Sequence, residues 1–294
     1  MSSIFLSTSS DTIIHARLTR PKEEFNKPAL VYLHYWGGSS STWHKLTSSE
    51  GLTPLSLEHP TAAIDLRGWG KSTGPLEGER VYSIAAMAAD VKSVLSQLHQ
   101  SPENSSILAH GFVLVGHSMG GKVALATLTT LPPHLIQLLK GLVLVAPAPP
   151  TPLVLPGEMK EQQKRAYASE VSVKWTVTNV LANIATLDEN DITIVVRDSL
   201  SGNSLAKAAW PSYGMEEDIS QDVKRVLTSS VPKLRVRVLA GELDVVEPKE
   251  RVEKELVAFL EEAGANMSLR VVKGVKHLIP LESPDAVYEE VVSL

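Results

Sequence analysis

The sequence predicts an α/β fold with a mostly parallel sheet of eight strands and helices on both faces. Eight short runs are rich in β-branched and aliphatic residues, and after the first two they alternate with stretches whose apolar residues recur at helical spacing. That alternation is typical of parallel strands joined by crossover helices. The length of 294 residues and the hydrophobic content of 43% are enough for a large buried core.

The first two runs, residues 4–6 and 12–18, predict an antiparallel hairpin at one edge of the sheet. The other six predicted strands are residues 29–34, 62–65, 112–115, 141–146, 234–241 and 268–272. Apolar spacing predicts helices over residues 83–98, about 123–131 and about 249–262. A last helix is predicted to begin near Ser283, a serine cap followed by Pro284 at the first helical position.

A cluster of prolines after the strand at 141–146 marks a predicted insertion boundary. From about residue 150 to residue 231 the pattern is helical, without convincing strands. We therefore predict a core domain formed by residues 1–149 and 232–294, with a helical cap, or lid, inserted at residues 150–231. Residues 192–197 are rich in β-branched side chains, yet we predict a helix there because their neighbours are helical.

Composition and charge exclude several classes of function. The net charge is −5 and no basic stripe is present, so no nucleic-acid partner is expected. The chain has no cysteine, which excludes disulfides, thiolate chemistry and cysteine-ligated metals. No apolar stretch approaches the ~20 residues that span a bilayer, and the first residues lack the features of a secretory signal. We expect a cytoplasmic protein without metal or cofactor, because no histidine and carboxylate spacing resembles a metal site.

The most informative motif is residues 116–121, Gly-His-Ser-Met-Gly-Gly, between a predicted strand and a predicted helix. A G-x-S-x-G sequence in this context predicts a sharp turn that exposes the serine hydroxyl above the sheet. Gly116 and Gly120 supply the small neighbours that such a turn needs. Ser118 is then the candidate nucleophile, and the amide of Met119 at the helix N-terminus can face a developing oxyanion.

A serine nucleophile needs a histidine base and a carboxylate that orients the histidine. Asp244 and His277 each follow a predicted strand, at the end of the sheet where ligands bind in open α/β folds. Glu242 and Glu247 remain alternatives for the acid, and His277 has the alternative of an ordinary surface histidine. The order serine, aspartate, histidine differs from the orders of the two well-known serine protease folds.

Two further segments complete the pattern: residues 34–40, His-Tyr-Trp-Gly-Gly-Ser-Ser, and residues 65–72, Asp-Leu-Arg-Gly-Trp-Gly-Lys-Ser. Together with the serine turn and the acid and histidine loops, they make the chain resemble the α/β-hydrolase superfamily over essentially its whole length, and in particular its serine esterases and cofactor-free haloperoxidases. The resemblance implies that Ser118 is the nucleophile, His277 the base and then the acid, and Asp244 the orienting carboxylate. It also implies that the amides of Met119 and Trp36 form the oxyanion hole. Tyr35 departs from the family, which usually has glycine there.

Several aromatic and histidine side chains are candidates for the pocket wall. The ring of Tyr35 would narrow the pocket, His34 would hydrogen-bond the oxyanion loop, and His117 would pack beside the serine turn. Residues 210–213, Trp-Pro-Ser-Tyr, are predicted to form a loop that brings Trp210 and Tyr213 to the entrance.

The resemblance implies a cofactor-independent hydrolase that cleaves a carboxylic ester of a small, neutral or apolar acyl substrate through an acyl-enzyme. Hydrolysis of carbon–carbon bonds, acyl transfer and perhydrolysis use the same triad and remain alternatives, as does a non-catalytic small-molecule receptor. Haloalkane dehalogenases and epoxide hydrolases need aspartate as nucleophile, so Ser118 argues against both.

Overall fold

One sheet of eight strands runs through the protein in a computed structural model that describes residues 2–23, 25–48, 54–230 and 232–294. The strands are β1 (Ser2–Ser9), β2 (Thr12–Thr19), β3 (Ala29–Leu33), β4 (Thr61–Ile64), β5 (Phe112–His117), β6 (Leu139–Val145), β7 (Arg235–Gly241) and β8 (Asn266–Val272). Their order across the sheet is β1-β2-β4-β3-β5-β6-β7-β8. The β1–β2 hairpin lies at one edge as predicted, β2 is antiparallel to β4, and the other pairs are parallel.

The α-helices lie on both faces of this sheet. They are α1 (His44–Thr47), α2 (Ile84–Gln100), α3 (Met119–Leu128), α4 (Pro133–Leu138), α5 (Gly157–Arg165), α6 (Glu170–Thr176), α7 (Glu189–Ser201), α8 (Ser204–Ser212), α9 (Ser220–Ser229), α10 (Lys249–Arg251), α11 (Ala258–Glu262), α12 (Ile279–Glu282) and α13 (Pro284–Val292). Short 3-10 turns occur at Ser40–Trp43, Leu55–Leu57, Ser105–Leu108, Ile184–Thr186 and Gly214–Glu216, and π-helical turns at Val177–Leu181 and Val252–Val257. In the part of the chain that the structure describes, no helix is both long and apolar enough to cross a membrane.

The alternation of side chains along β3 explains why both faces of the sheet are covered. Val31 and Leu33 belong to the larger apolar core, whereas Leu30 and Tyr32 belong to a second core on the opposite face. All five residues of β3 are buried. A strand that is apolar on both faces appears in the sequence as a continuous hydrophobic run, as residues 29–33 do.

Several element boundaries differ from prediction by small amounts. Helix α2 runs two residues beyond the predicted end, and Ser83 caps it by accepting a hydrogen bond from the amide of Ala86. The predicted helix at residues 249–262 is present, but a π-helical turn interrupts it between α10 and α11. Ser283 is the N-terminal cap residue of α13, as predicted, although its side chain makes no capping bond.

The chain between β6 and β7 is helical throughout its regular structure. Helices α5 to α9 lie there, and no strand occurs among the described residues 146–230. Residues 192–197 lie inside α7, as predicted despite their β-branched side chains. Asp188 and Asp191 form a capping box at the start of α7. The capping box favours a helix here, whereas the propensity of the β-branched residues favours a strand.

A buried ion pair joins the loop after β4 to α2. The guanidinium of Arg67 donates two hydrogen bonds to the carboxylate of Asp90, one of them 2.8 Å from Nη2 to Oδ1, and both side chains are at least nine-tenths buried. Asp90 also accepts from the hydroxyl of Thr8 in β1. The pair therefore ties the edge hairpin and the residue 65–72 loop to the same helix.

We expect Asp90→Ala to lower the free energy of unfolding by about 3 kcal/mol or more, because it leaves a buried guanidinium unpaired. Asp222 also pairs with an arginine, Arg225, but both side chains are more than half exposed. Asp222→Ala is therefore the matched control and should cost less than about 1 kcal/mol. Urea unfolding of both variants measures the difference, and equal losses would contradict the structural role of the Arg67–Asp90 pair.

Candidate active site

Ser118 forms the sharp turn between β5 and α3. Its backbone φ of 53° lies in the left-handed region that non-glycine residues rarely adopt. The amide of Ser118 donates to the carbonyl of Val145 in β6 (2.9 Å), and its carbonyl accepts from the amide of Gly121 (2.9 Å). These bonds hold the backbone on both sides of the Ser118 Cα atom, so the strained turn persists. The turn places the serine at a cavity at the carboxyl end of the sheet.

The two glycines of the motif allow α3 to approach the sheet closely. A Cβ atom on Gly116 would lie 2.4 Å from the carbonyl oxygen of Gly120, and one on Gly120 would lie 2.4 Å from the carbonyl oxygen of Leu33. Both obstacles are backbone atoms, which cannot rotate away as a side chain can. The requirement for small residues, predicted from the motif, is therefore a requirement of helix-to-sheet packing.

Asp244 and His277 lie beside each other, although 33 residues separate them in the chain. The Nδ1 atom of His277 donates to Oδ2 of Asp244 at 2.8 Å, and both side chains are buried. Oδ1 of Asp244 accepts from the amides of Val246 (2.8 Å) and Glu247 (3.0 Å). The carboxylate is thus fixed on both oxygens, and it fixes the neutral histidine in the tautomer whose Nε2 can accept a proton.

The surroundings of His277 favour its protonated form. Burial by itself lowers the pKa of this imidazole, but the charge and hydrogen bond of Asp244, with Glu247 and Glu282 nearby, raise it above 6.5. The backbone is held as well, because the amides of His277 (2.9 Å) and Leu278 (3.1 Å) both donate to the carbonyl of Leu181. Leu181 belongs to the helical segment between β6 and β7, so this segment helps to position the histidine loop.

Residues 34–40 lie next to the serine turn and are held by other parts of the chain, among them Tyr167 and Asp65. The hydroxyl of Tyr167 donates to the carbonyl of Trp36 at 2.8 Å. The carboxylate of Asp65 accepts from the amide of Ser40 (2.6 Å). Burial by itself raises the pKa of Asp65, but hydrogen bonds from His15, Lys71 and Ser40 lower it to about 2. The residue 65–72 motif therefore acts as a support for this loop.

The amides of Trp36 and Met119, the expected oxyanion donors, have no acceptor among the described residues. Met119 is the first residue of α3, where backbone N–H groups have no partner within the helix. The side chain of Met119 is fully buried, whereas Trp36 lines the cavity.

Ser118 and His277 line one cavity of about 290 Å³. Its other lining residues are Tyr35, Trp36, Leu153, Leu155, Met159, Gln162, Gln163, Ala166, Tyr167, Trp175, Thr176, Val180, Leu181, Trp210, Val245, Val246, Glu247 and Arg251. Most of this wall is apolar, and most of it comes from the segment between β6 and β7. Tyr35 is among the residues that line the cavity.

Three predicted pocket residues, His34, His117 and Tyr213, are not among those that line the cavity. His34 is fully buried and donates from Nδ1 to the carbonyl of Tyr35 (2.7 Å), so it supports the loop as expected. His117 is also fully buried, and its Nε2 donates to the carbonyl of His277 (2.8 Å). Burial lowers the pKa of His117 well below 6.5, which keeps this second imidazole neutral behind the site.

The predicted loop at residues 210–213 is wrong: residues 210–212 end helix α8, and Tyr213 is its cap residue. Proline has no N–H to donate, so Pro211 leaves the carbonyl of Lys207 without its usual helical partner. The indole Nε1 of Trp36 donates to that carbonyl at 3.1 Å. Tyr213 lies away from the cavity, where its hydroxyl accepts from the amide of Tyr82.

Two ionisable residues of the cavity wall, Glu247 and Arg251, are not identified as pocket residues by the sequence, which offers Glu247 only as an alternative acid. Glu247 lies just before the cap residue of α10 and Arg251 ends that helix, so their spacing of four residues is the signal that could have identified them as neighbouring side chains. In residues 2–23, 25–48, 54–230 and 232–294, no group of three histidine or carboxylate side chains could hold a metal ion.

Comparison with known proteins gives a match over most of the chain. The family model described as the alpha/beta hydrolase family matches residues 30–290. Among curated proteins, pimeloyl-(acyl-carrier protein) methyl ester esterase from Aeromonas hydrophila is 36% identical over 98 residues. That alignment covers 33% of this chain and only 30% of the relative's length.

Solved structures resemble the whole chain at low identity. An esterase from Exiguobacterium antarcticum superposes with a TM-score of 0.76 at 20% identity, covering 99% of this chain and 98% of that one. A bromoperoxidase from Bacillus anthracis gives a TM-score of 0.78 at 17% identity, covering 99% of each chain. At such identities the likeness establishes the fold.

Gly120→Ala is expected to lower the free energy of unfolding by about 2 kcal/mol or more, because its Cβ would collide with the carbonyl groups of Leu33 and His34. Gly157→Ala, at the exposed start of α5, is the matched control. No atom lies within 4 Å of a Cβ at that position, so the same substitution should cause no loss. Thermal and urea unfolding compare the two variants, and a stable Gly120→Ala protein would contradict the close approach described above.

Proposed function

Since the chain belongs to the alpha/beta hydrolase family, we propose that it is a cofactor-independent serine hydrolase that cleaves carboxylic esters through an acyl-enzyme. One observation carries the proposal: His277, whose imidazole is held by a buried hydrogen bond of 2.8 Å to Asp244, lines the same cavity as Ser118. An oriented base beside a strained serine at a helix N-terminus is what acyl transfer requires.

In the proposed reaction, His277 removes the proton of Ser118 through Nε2 while the serine oxygen attacks the ester carbonyl. Asp244 stays ionised and stabilises the imidazolium that forms. His277 then gives its proton to the departing alcohol, and the acyl-enzyme remains. A water molecule repeats the two steps, with His277 again as base and then as acid, and releases the carboxylic acid.

The amides of Trp36 and Met119 are the proposed donors to the oxyanion that forms during each attack. Neither amide has an acceptor in the described part of the chain, which supports the role, since a donor already engaged would have to break a bond first. The hydrogen bond from Tyr167 to the carbonyl of Trp36 orients the first donor. The fixed turn at Ser118 orients the second.

We also propose that residues 150–231 act as a cap that selects the acyl or alcohol part of the substrate. Three hydrogen bonds support this role, because they join the segment to the reacting loops. Tyr167 donates to Trp36, Trp36 donates to Lys207, and His277 donates to Leu181. The apolar wall that this segment supplies fits a small acyl group and excludes bulk water.

A fluorophosphonate probe should label the wild-type protein at Ser118, because it forms a stable adduct only with an activated serine. Ser118→Ala should abolish labelling, while Ser229→Ala, which removes an exposed serine of α9, should leave it intact. Gel fluorescence and peptide mass analysis measure the outcome. Absence of labelling in the wild-type protein would overturn the proposed function and favour a non-catalytic receptor.

We expect kcat/KM for a neutral ester to fall as the pH drops through the pKa of His277, because the imidazolium cannot accept the serine proton. Since that pKa is raised, the acid limb should lie above 6.5. Asp244→Asn should move the limb to lower pH and reduce kcat by about 10⁴-fold. Hydrolysis followed between about pH 5 and pH 8 provides the test, and a flat profile would exclude His277 as the base.

A further inference from the structure

Two ionisable side chains outside the proposed triad, those of Arg251 and Glu247, line the cavity. The Nη1 atom of Arg251 donates to the carbonyl of Val246 (3.0 Å) and lies 3.3 Å from Oε2 of Glu247. The side chain of Arg251 is 26% exposed, and that of Glu247 is 2% exposed. Placing a guanidinium in a largely apolar cavity costs free energy unless its charge and its N–H groups have partners, and the two contacts above involve Nη1 alone.

The edge of the Arg251 guanidinium formed by Nε and Nη2 makes no hydrogen bond within the described part of the chain. Among the residues that the structure describes, the contacts of Arg251 use Nη1, and none uses Nε or Nη2. The N–H groups of Nε and Nη2 point in parallel from one side of the planar group. That edge matches the two oxygens of a carboxylate.

Glu247 does not cancel the charge of Arg251 at neutral pH. Burial raises the pKa of Glu247 to about 8, an effect that Arg251 and His277 oppose and Asp244 reinforces. The contact of 3.3 Å between Glu247 and Arg251 is longer than the ~2.8 Å typical of a charge-assisted bond. The protonated carboxyl therefore leaves a net positive charge on the cavity wall.

We propose that Arg251 binds a carboxylate carried by the substrate, so that the preferred esters have a free carboxylate in addition to the ester group. This proposal rests on the proposed ester hydrolase function and names its substrate class. It departs from the small, neutral or apolar acyl substrate expected from the sequence by adding a charged group: the apolar wall would contact the chain of the substrate, and Arg251 would bind its anionic end.

The test uses pairs of esters that differ in one terminal group. One series carries the carboxylate on the acyl side, as monoesters of dicarboxylic acids, and another carries it on the alcohol side, as acetate esters of ω-hydroxy acids. Each ester is compared with the neutral isostere that ends in a methyl group, over chains of increasing length. The measured quantity is the ratio of kcat/KM for the charged ester to kcat/KM for its neutral partner.

Arg251→Met should lower this ratio by about 10- to 100-fold for the best charged substrate, the loss expected for hydrogen bonds to a charged group. Lys249→Met removes the same charge two residues away in α10, at a side chain that does not line the cavity. It should leave the ratio unchanged. An equal ratio in the wild-type protein and Arg251→Met, or an equal fall in both variants, would overturn the proposal.

A second measurement needs no substitution of Arg251. Above about pH 8, ionised Glu247 places a negative charge beside Arg251, so the KM of charged esters should rise while that of neutral isosteres does not. The charged groups that act on Glu247 are Asp244, His277, Arg251 and, from α3, Lys122. Burial lowers the pKa of Lys122 to about 8 as well, so Glu247→Gln is the variant that assigns the effect: it should remove the rise.

Each failure has a distinct signature. If Ser118 is not labelled and no ester is hydrolysed, the proposed function fails. If neutral esters are hydrolysed and Ser118 is labelled, but the charged-to-neutral ratio does not depend on Arg251 and the KM of charged esters does not rise with pH, this proposal alone is wrong.

Discussion

The packing of the α3 N-terminus against the carboxyl end of β3 is the constraint on which the rest of the site depends. Gly120 contacts the backbone of Leu33 and His34 with no room for a side chain. That contact brings the first free amide of α3 beside the loop that begins at His34. It also requires the chain to reverse direction within one residue, which accounts for the positive φ of Ser118.

The helical segment between β6 and β7 makes hydrogen bonds with the loop of Trp36 and with the loop of His277, which lie on either side of the serine. Tyr167 and Lys207 hold Trp36, and Leu181 holds His277. The buried amine of Lys122 adds a direct link from α3, because it donates to the carbonyls of Thr151 (3.1 Å) and Met215 (3.0 Å). The proposed substrate selection and the geometry of the proposed reacting groups therefore depend on the same supports.

Local patterns in the sequence were sufficient for the sheet, the serine turn and the adjacent positions of Asp244 and His277. Each of these follows from short-range rules: strand periodicity, the glycine spacing of the turn, and the convergence of parallel strand ends. The proposed role of Arg251 could not be predicted in this way, since it depends on which of its donors other residues occupy. The sequence does not predict the helix ending at Ser212, because Pro211 is typical of a loop. The indole of Trp36, distant in the sequence, donates to the carbonyl that the proline leaves without its helical partner.

The carbonyl oxygen of Leu181 accepts hydrogen bonds from two successive amides, those of His277 and Leu278. Because the acceptor is a backbone atom, substitutions and changes of length near residue 181 have different effects on the cavity. Side chains around residue 181 can change the shape of the cavity without altering the backbone acceptor, whereas an insertion or deletion there would displace the imidazole itself. New specificities on this scaffold should therefore arise through substitution within the π-helical turn Val177–Leu181 and not through changes in its length.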